Sequence, residues 1–246
     1  MAGLSLIPVL SSCSSSDSES TVDAGTGTGT DGATGSGTCS TIPEETEGPY
    51  PGDGTNGPNA LSVSGIERSD IRSSFGGASG TAAGVALTIT LTLVDSTTCS
   101  PLEGYAIYVW HCDQNGNYSM YSAGVTDQNY LRGVQSTNAA GQVSFTSIFP
   151  ACYSGRWPHI HFEVYPSAAT ATSGSAKLAT SQLAMPKATC DAVYATSGYS
   201  ASVTNLSRVT LATDMVFSDG ATLEIPTVTG SATDGYTAAL TVAIAA

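Results

Sequence analysis

The sequence predicts an all-β protein built as a single β-sandwich domain. Apolar and polar residues alternate with a period of two in several short stretches, which is typical of strands that bury one face. Turn-forming pairs such as Asn115-Gly116 and Ala140-Gly141 separate these stretches. The spacing of three and four that indicates amphipathic helices is weak throughout. The roughly 200 residues from position 39 onward are enough for one core, so we expect a single domain over 39–246.

The first residues differ in composition from this domain. A short apolar run, Leu4 to Leu10, precedes Ser11-Ser12-Cys13, and this order is similar to a bacterial lipobox, in which the cysteine becomes lipidated. Residues 1–9 contain no Lys or Arg, so the usual positive region is missing. We interpret 1–13 as a signal or lipobox-like segment with Cys13 as the lipidation site. Plain secretion and a chance apolar start are the alternatives.

Residues 14–38 consist mostly of Ser, Thr, Gly and Asp, and they contain few large apolar side chains. Such a segment cannot bury enough surface to offset the entropy of ordering, so we expect a disordered tether. A tether after a lipidated cysteine would hold the domain away from a membrane. We therefore expect an extracellular or cell-envelope protein.

The charge balance limits the partners of the chain. The formal net charge is −13, with only seven basic residues, which is too few for the phosphate contacts that nucleic-acid binding requires. No apolar run approaches the roughly 18 residues of a membrane-spanning helix, so a membrane would be contacted only through the lipid anchor. The sequence leaves the oligomeric state open.

The domain is expected to consist of short strands in chain order, with one short helix near residues 191–197. In the first strand Leu and Ile alternate with Thr, and the second is rich in aromatic and β-branched residues. The predicted strands cover residues 85–94, 105–111, 143–148, 160–164 and 240–244.

His159-Ile160-His161 is a candidate metal site, because residues two apart in a strand point to the same face. Zinc would need a further His, Cys or carboxylate, and copper would recruit His111 as a third imidazole. Iron(III) accepts phenolate oxygen, and a trivalent ion can remove the phenol proton. Tyr153 lies six residues before His159, and Tyr118 follows the turn after the second predicted strand. Two tyrosinates, one hydroxide and two neutral histidines would give a charge-neutral iron(III) centre.

Several motifs resemble those of the intradiol ring-cleavage dioxygenases, the family of the catechol and protocatechuate 3,4-dioxygenases. The resemblance covers about residues 39–245, and its most specific part is the order Tyr, then Tyr-x2-Arg-x2-His-x-His. The motifs that carry it are Glu47-Gly48-Pro49-Tyr50, Arg68-Ser69-Asp70-Ile71, Trp110-His111-Cys112-Asp113, Gly116-Asn117-Tyr118-Ser119, Leu131-Arg132-Gly133-Val134-Gln135, Thr146-Ser147-Ile148-Phe149-Pro150 and Tyr153-Ser154-Gly155-Arg156-Trp157-Pro158-His159-Ile160-His161-Phe162.

The resemblance implies an iron(III) enzyme that opens catechol-type rings with O2 to give muconate-type diacids. A small aromatic diol and O2 would be its partners. Four ligands are implied, with Tyr118 and His161 equatorial and Tyr153 and His159 axial. Tyr153 would also leave the metal and act as a base.

Three further residues are implied to contact the substrate. Arg156 would stabilise negative charge on the ring, Gln182 would contact the substrate from the strand after the histidines, and Tyr50 would line the pocket entrance. Catechol, protocatechuate, hydroxyquinol and larger lignin-derived aromatics all remain open as substrates, and the net charge favours a neutral catechol. The alternative function is a non-catalytic β-sandwich binding or cell-surface module that kept the family fold.

Cysteines contribute one further expectation. Cys152 stands directly before Tyr153, and both Cys152 and Cys190 are unusual for the family, so a disulfide between them is predicted. The alternative is that Cys152 is a free thiol lying against the iron. Pairings among Cys39, Cys99 and Cys112 cannot be deduced from the sequence.

Overall fold

The structure, a computed structural model, describes residues 39–246. The lipobox-like segment (1–13) and the tether (14–38) lie outside these residues, and both stay predictions. Eight strands are present in the described part of the chain: β1 Ala86–Asp95, β2 Ala106–Trp110, β3 Arg132–Ser136, β4 Gln142–Ile148, β5 His159–Tyr165, β6 Ala179–Ala184, β7 Thr227–Ser231 and β8 Gly235–Ile244.

The strands form two four-stranded sheets, which confirms the predicted β-sandwich. One sheet has the order β4-β1-β8-β7 and the other the order β3-β2-β5-β6. β1 pairs parallel with β8, and the other ladders are antiparallel. Side chains from the inner faces of both sheets, such as Ile89, Leu91, Phe145, Phe162 and Val242, pack into one core.

The burial patterns of the strands show which faces are covered. β1 alternates buried Leu and Ile with partly exposed Thr, because only its inner face is packed. All seven residues of β5 are buried. Ile160, Phe162 and Val164 of β5 face the core, so its other face must be covered by chain outside the sandwich. That second face positions the functional site.

The structure confirms the five strands that were predicted from alternation and from β-rich composition. β3 and β7 were not predicted because both are short and carry Gly and polar residues that break a period-two pattern. β6 was expected only from the resemblance, as the strand after the histidines that carries Gln182. The helix expected near 191–197 begins earlier and becomes α1 (Lys187–Tyr194). A second helix, α2 (Ser200–Leu206), was not predicted, because most of its residues have weak helix propensity. No helix within 39–246 combines the length and hydrophobicity needed to cross a bilayer.

The predicted Cys152–Cys190 disulfide is wrong. The bond in the structure joins Cys39 to Cys99, while Cys112, Cys152 and Cys190 are buried free thiols. The thiols of Cys152 and Cys190 lie within hydrogen-bond distance of different backbone carbonyls, those of Arg156 and Met185. Each thiol therefore has a local partner in the core.

Candidate functional site

Two imidazoles and two phenols converge at the outer face of β5. The Nε2 atoms of His159 and His161 lie 3.1 Å apart. The phenol oxygen of Tyr118 lies 3.3 Å from each of them, and that of Tyr153 lies 3.2 Å from His159 Nε2. The structure thus brings together the four residues predicted as ligands.

Local backbone geometry explains how these four side chains meet. His159 and His161 project to the same side of β5 because successive strand residues alternate, and Ile160 points into the core. Tyr118 and Tyr153 lie on loops that approach each other at Gly116. A Cβ on Gly116 would lie 3.2 Å from Cβ of Tyr153, and the φ of Gly116 is +86°. Glycine at this position therefore permits both the turn and the close approach.

The imidazoles are held neutral with lone pairs toward the phenols. Burial lowers the pKa of His159 to about 3 and that of His161 well below its usual value. His159 Nδ1 lies 2.5 Å from the carbonyl oxygen of Trp157, so Nδ1 donates and Nε2 keeps its lone pair. The ring of His161 stacks on Trp110 with a centroid distance of 4.8 Å. His159 thus has the carbonyl partner on its second nitrogen that is common among histidine ligands. Nδ1 of His161 has no hydrogen-bond partner among residues 39–246, and its ring is positioned by the stacking on Trp110.

The donor set fits a trivalent cation. Ligand atoms that share an ion at about 2.0–2.2 Å lie roughly 3 Å apart, and the four measured separations are 3.1–3.3 Å. Burial raises the pKa of Tyr153 to about 12 and raises that of Tyr118 well above the usual value, so both phenols alone keep their protons. A highly charged ion reverses this preference because it stabilises the phenolate directly.

His111 takes no part in this cluster. Burial lowers its pKa to about 4, so the ring is neutral near neutral pH. Its Nδ1 donates to the carbonyl of Cys112 at 2.8 Å, and the hydroxyl of Ser147 donates to Nε2 at 2.7 Å. With both ring nitrogens occupied, His111 cannot be the third imidazole of a copper centre.

A pocket of about 570 Å³ opens directly onto the two phenols. Its size is that of a typical small-molecule site. Tyr50 forms part of the wall, where its ring lies 4.9 Å from the ring of Tyr118. The pocket is lined by Thr46, Gly48, Pro49, Tyr50, Gly116, Tyr118, Ser122, Tyr153, Ser154, Arg156, Met215 and Val216.

Comparison with known proteins finds dioxygenases. The family model described as Dioxygenase (Dioxygenase_C) matches residues 56–173. An intradiol ring-cleavage dioxygenase from Tetranychus urticae has a similar structure, with a TM-score of 0.66 and 28% identity over 84% of this chain and 95% of that one. This chain belongs to the intradiol ring-cleavage dioxygenase family. The family generally depends on non-haem iron(III).

Two further relatives either are less similar to this chain or match a smaller part of it. Chlorocatechol 1,2-dioxygenase from Rhodococcus opacus is 40% identical over 60 residues, which is 24% of this chain and only 23% of that protein. The dioxygenase domain of a dioxygenase–carbohydrate-binding fusion from Streptomyces sp. SirexAA-E has a TM-score of 0.54 at 21% identity, over 83% of this chain and 98% of that chain. This second likeness shows a shared fold alone.

In this chain, Arg156 is fixed on two sides. Its Nε donates to Asp214 at 2.9 Å, and Nη2 donates to the side-chain oxygen of Gln182 at 2.7 Å. Gln182 also donates to the carbonyl of Thr46 at 2.8 Å. It is fully buried behind Arg156 and does not line the pocket. The substrate contact of Gln182 stays a prediction, and in the structure its amide is occupied in holding Arg156.

Asp214 is the site residue that the sequence did not indicate. It is fully buried, and one of its oxygens accepts hydrogen bonds from the side chain of Arg156 and the backbone N–H of Trp157. The other accepts from the backbone N–H groups of Val216 and Phe217. A lone Asp between Thr213 and Met215 carries no local pattern that would mark it as a site residue.

Two anchors hold the pocket wall formed by the segment before Pro51. Lys177 forms ion pairs with Glu47 of this segment and with Glu163 on β5. Arg132 is buried and has no carboxylate partner among the residues that the structure describes, and its side chain donates to the carbonyls of residues 50 and 51. Arg132 also donates to the carbonyl of Ser119 at 3.0 Å, next to Tyr118. It thus joins the Tyr50 wall to the loop that carries a candidate ligand.

Proposed function

We propose that this protein is a non-haem iron(III) dioxygenase that opens catechol-type rings with O2 to give muconate-type diacids. The observation that carries the proposal is the convergence of Tyr118, Tyr153, His159 and His161 at the floor of an open pocket. Membership of the intradiol family supports the reaction type. A non-catalytic binding module is not favoured, because all four donors and Arg156 are retained.

These four residues would hold the iron through two phenolate oxygens and two imidazole nitrogens. The chemistry that iron(III) supplies when bound is electron withdrawal from a catechol, which makes the ring reactive toward O2. The protein contributes a dry floor beneath the pocket, because Tyr118, His159 and His161 are each at most 3% exposed. Exclusion of water strengthens the electrostatic interactions at the reacting ring.

Tyr153 is the phenol that can exchange protons with a substrate. It is only partly buried and lines the pocket, whereas Tyr118 is 1% exposed. Once the phenol is ionised, its oxygen can accept the proton of a catechol hydroxyl that enters beside it. Tyr118 is better suited to remain a fixed ligand, because it is enclosed by Tyr50, Tyr153 and the histidines.

Arg156 supplies the positive charge that the reaction needs near the ring. Its Nε and Nη2 are engaged by Asp214 and Gln182, while Nη1 has no hydrogen-bond partner within residues 39–246. Nη1 is therefore available to a ligand in the pocket. A guanidinium fixed in advance stabilises developing negative charge without reorganisation during the reaction.

The substrate is an uncharged catechol in this proposal. Arg156 is the only charged side chain among the described residues that line the pocket, and Asp214 already balances its charge. A ring carboxylate, as in protocatechuate, would find no second cation there. The net charge of −13 also disfavours the approach of anionic substrates.

An extracellular or cell-envelope location is part of the same proposal. The Cys39–Cys99 disulfide supports it, because such bonds persist mainly in oxidising compartments. Cys13 remains the proposed site of lipid attachment, and metabolic labelling with a lipid precursor followed by Cys13→Ser would test it.

The proposed function is tested by colour, iron content and oxygen uptake. The purified protein should be burgundy-red from tyrosinate-to-iron(III) charge transfer. Tyr118→Phe should weaken or shift this band and abolish turnover, because one phenolate ligand is lost. Oxygen uptake over a panel of catechols, with labelled O2 traced into the product, should show both oxygen atoms in a diacid.

Tyr105→Phe provides the matched control, since Tyr105 packs against the core outside the cluster. It should keep the colour and the turnover of the parent protein. A protein that contains iron but stays colourless, or a product that carries only one labelled atom, would exclude the proposed chemistry.

A further inference from the structure

Met215 stands out on the surface of the described domain. Its side chain is 81% exposed, which makes it the most exposed large apolar residue within 39–246. It also lines the pocket that opens onto the two phenols. Exposing so much apolar surface to water is unfavourable, and a bound group that covers this side chain would gain free energy in proportion to the apolar area removed from water.

The backbone at Met215 is held in place. The preceding Asp214 accepts hydrogen bonds from the N–H groups of Val216 at 2.8 Å and Phe217 at 3.1 Å. Val216 is 7% exposed and Phe217 is 1% exposed, so both residues that follow Met215 are packed. The exposure of Met215 is therefore a property of its fixed position at the pocket rim.

The pocket that Met215 lines is more apolar than polar. Val216, Pro49 and Tyr50 are among its lining residues, Thr46, Ser122 and Ser154 add hydroxyl groups, and Arg156 is the only charged lining side chain in the described part of the protein. The guanidinium of Arg156 is paired with the buried carboxylate of Asp214. A substituent that extends from a ring bound at the phenols as far as Met215 would meet the carbon and sulfur atoms of its side chain. Methionine adapts to varied apolar shapes because its side chain is unbranched and flexible.

We propose that Met215 forms a substrate subsite for an apolar ring substituent, so that the enzyme prefers alkyl- or aryl-substituted catechols to catechol itself. This inference rests on the proposed ring-cleavage function and specifies its substrate class. The substituent covers Met215 and removes its surface from water. In a hydrophobic pocket, a group of this size changes the specificity constant by roughly ten- to a hundredfold.

The test compares 4-tert-butylcatechol with catechol in the wild-type protein and in Met215→Gln, which keeps the side-chain length and adds polarity. The ratio of the two kcat/KM values should favour the substituted substrate in the wild type and fall roughly tenfold in Met215→Gln. Met215→Leu should restore the ratio. Leu223→Gln is the control, because Leu223 is also exposed but lies outside this pocket; it should leave the ratio unchanged.

Dissociation constants for both compounds, measured by calorimetry without oxygen, separate this inference from the proposed function. A ratio of dissociation constants that changes in Met215→Gln supports the subsite even if no ring is opened, and the absence of turnover then counts against the dioxygenase. Ring cleavage with the same substrate ratio in wild type and Met215→Gln would overturn the subsite alone. A wild-type preference for 3,4-dihydroxybenzoate would overturn it as well.

Discussion

Asp214 is a buried carboxylate that organises one side of the pocket. Burial by itself raises its pKa, but hydrogen bonds from the backbone amides of Trp157 and Val216 and from Arg156 outweigh burial, and the pKa lies below its ordinary value. The carboxylate is therefore charged at neutral pH and balances Arg156. Because its folded-state pKa is lowered, its contribution to stability is present at neutral pH and is lost as the pH falls through that pKa.

Replacing Asp214 by Asn should impair both stability and catalysis. The change removes the charge that compensates buried Arg156, which typically costs on the order of 3 kcal/mol of unfolding free energy. A guanidinium that shifts by an ångström can lower kcat by roughly a hundredfold. Urea denaturation and steady-state kinetics would measure the two effects.

The matched control for this prediction is Asp70→Asn. Asp70 pairs with Arg72 at 2.7 Å, but both side chains are more than 40% exposed. Exposed pairs contribute about 0–1 kcal/mol, so this variant should remain close to the parent protein. Equal stability losses in the two variants would show that burial of the Arg156–Asp214 pair has no special importance.

At the scale of single elements, the alternation in β5 predicted a strand but did not reveal that both of its faces are buried. His159, His161 and Glu163 alternate with Ile160 and Phe162, yet every residue of the strand is buried. Its polar residues belong to a site and to ion pairs, so their face is covered in spite of its polarity. A hydrophobicity pattern alone identifies one buried face of a strand. Whether the other face is buried depends on the segments that pack across it.

β3 contributes a close backbone contact through Gly133. A Cβ at this position would lie 2.5 Å from the Cγ2 atom of Ile71, which is fully buried. Gly133→Ala should therefore destabilise the protein by about 1–3 kcal/mol through overpacking. The shift should also disturb neighbouring Arg132, which holds the pocket wall.

Chemical denaturation would measure the effect of Gly133→Ala, with Ser136→Ala as the control at the exposed end of the same strand. Ser136→Ala should stay within about 0.5 kcal/mol of the parent protein, as surface substitutions usually do. A Gly133→Ala protein as stable as the parent would mean that Ile71 can move aside without cost.

At the scale of the whole molecule, a disulfide ties the beginning of the described domain to the connection after β1. Cys39 and Cys99 are separated by 60 residues. Closing a long loop restricts the unfolded chain and typically stabilises a protein by about 2–4 kcal/mol. The backbone N–H of Cys39 also donates to the carbonyl of Ser96, so the bond reinforces an existing contact.

Reduction of this disulfide should lower Tm and reduce the free energy of unfolding by about 2–4 kcal/mol. Thermal denaturation with and without a reducing agent would measure the change. The double variant Cys39→Ser/Cys99→Ser should start at the lower stability and show no response to the reductant. If the variant responds as strongly as the parent, the reductant acts on another group.

Short-range patterns in the sequence are enough to predict the fold class and the candidate ligands. Period-two alternation and β-rich composition predicted five strands, and the motif from Tyr153 to His161, with Tyr118 upstream, predicted a cluster that the structure assembles. The same resemblance placed Arg156 at the site and Tyr50 in the wall of the pocket.

Contacts between residues far apart in the chain become apparent only in the folded domain. Asp214 meets Arg156 across 58 residues, and Gln182 meets it across 26. Cys39 bonds to Cys99, whereas the sequence leaves the pairing of these two cysteines open and predicts a bond between Cys152 and Cys190. The role proposed for Met215 follows from the pocket that it lines. No local pattern records these partners, because they depend on how the loops close over the outer face of the sandwich.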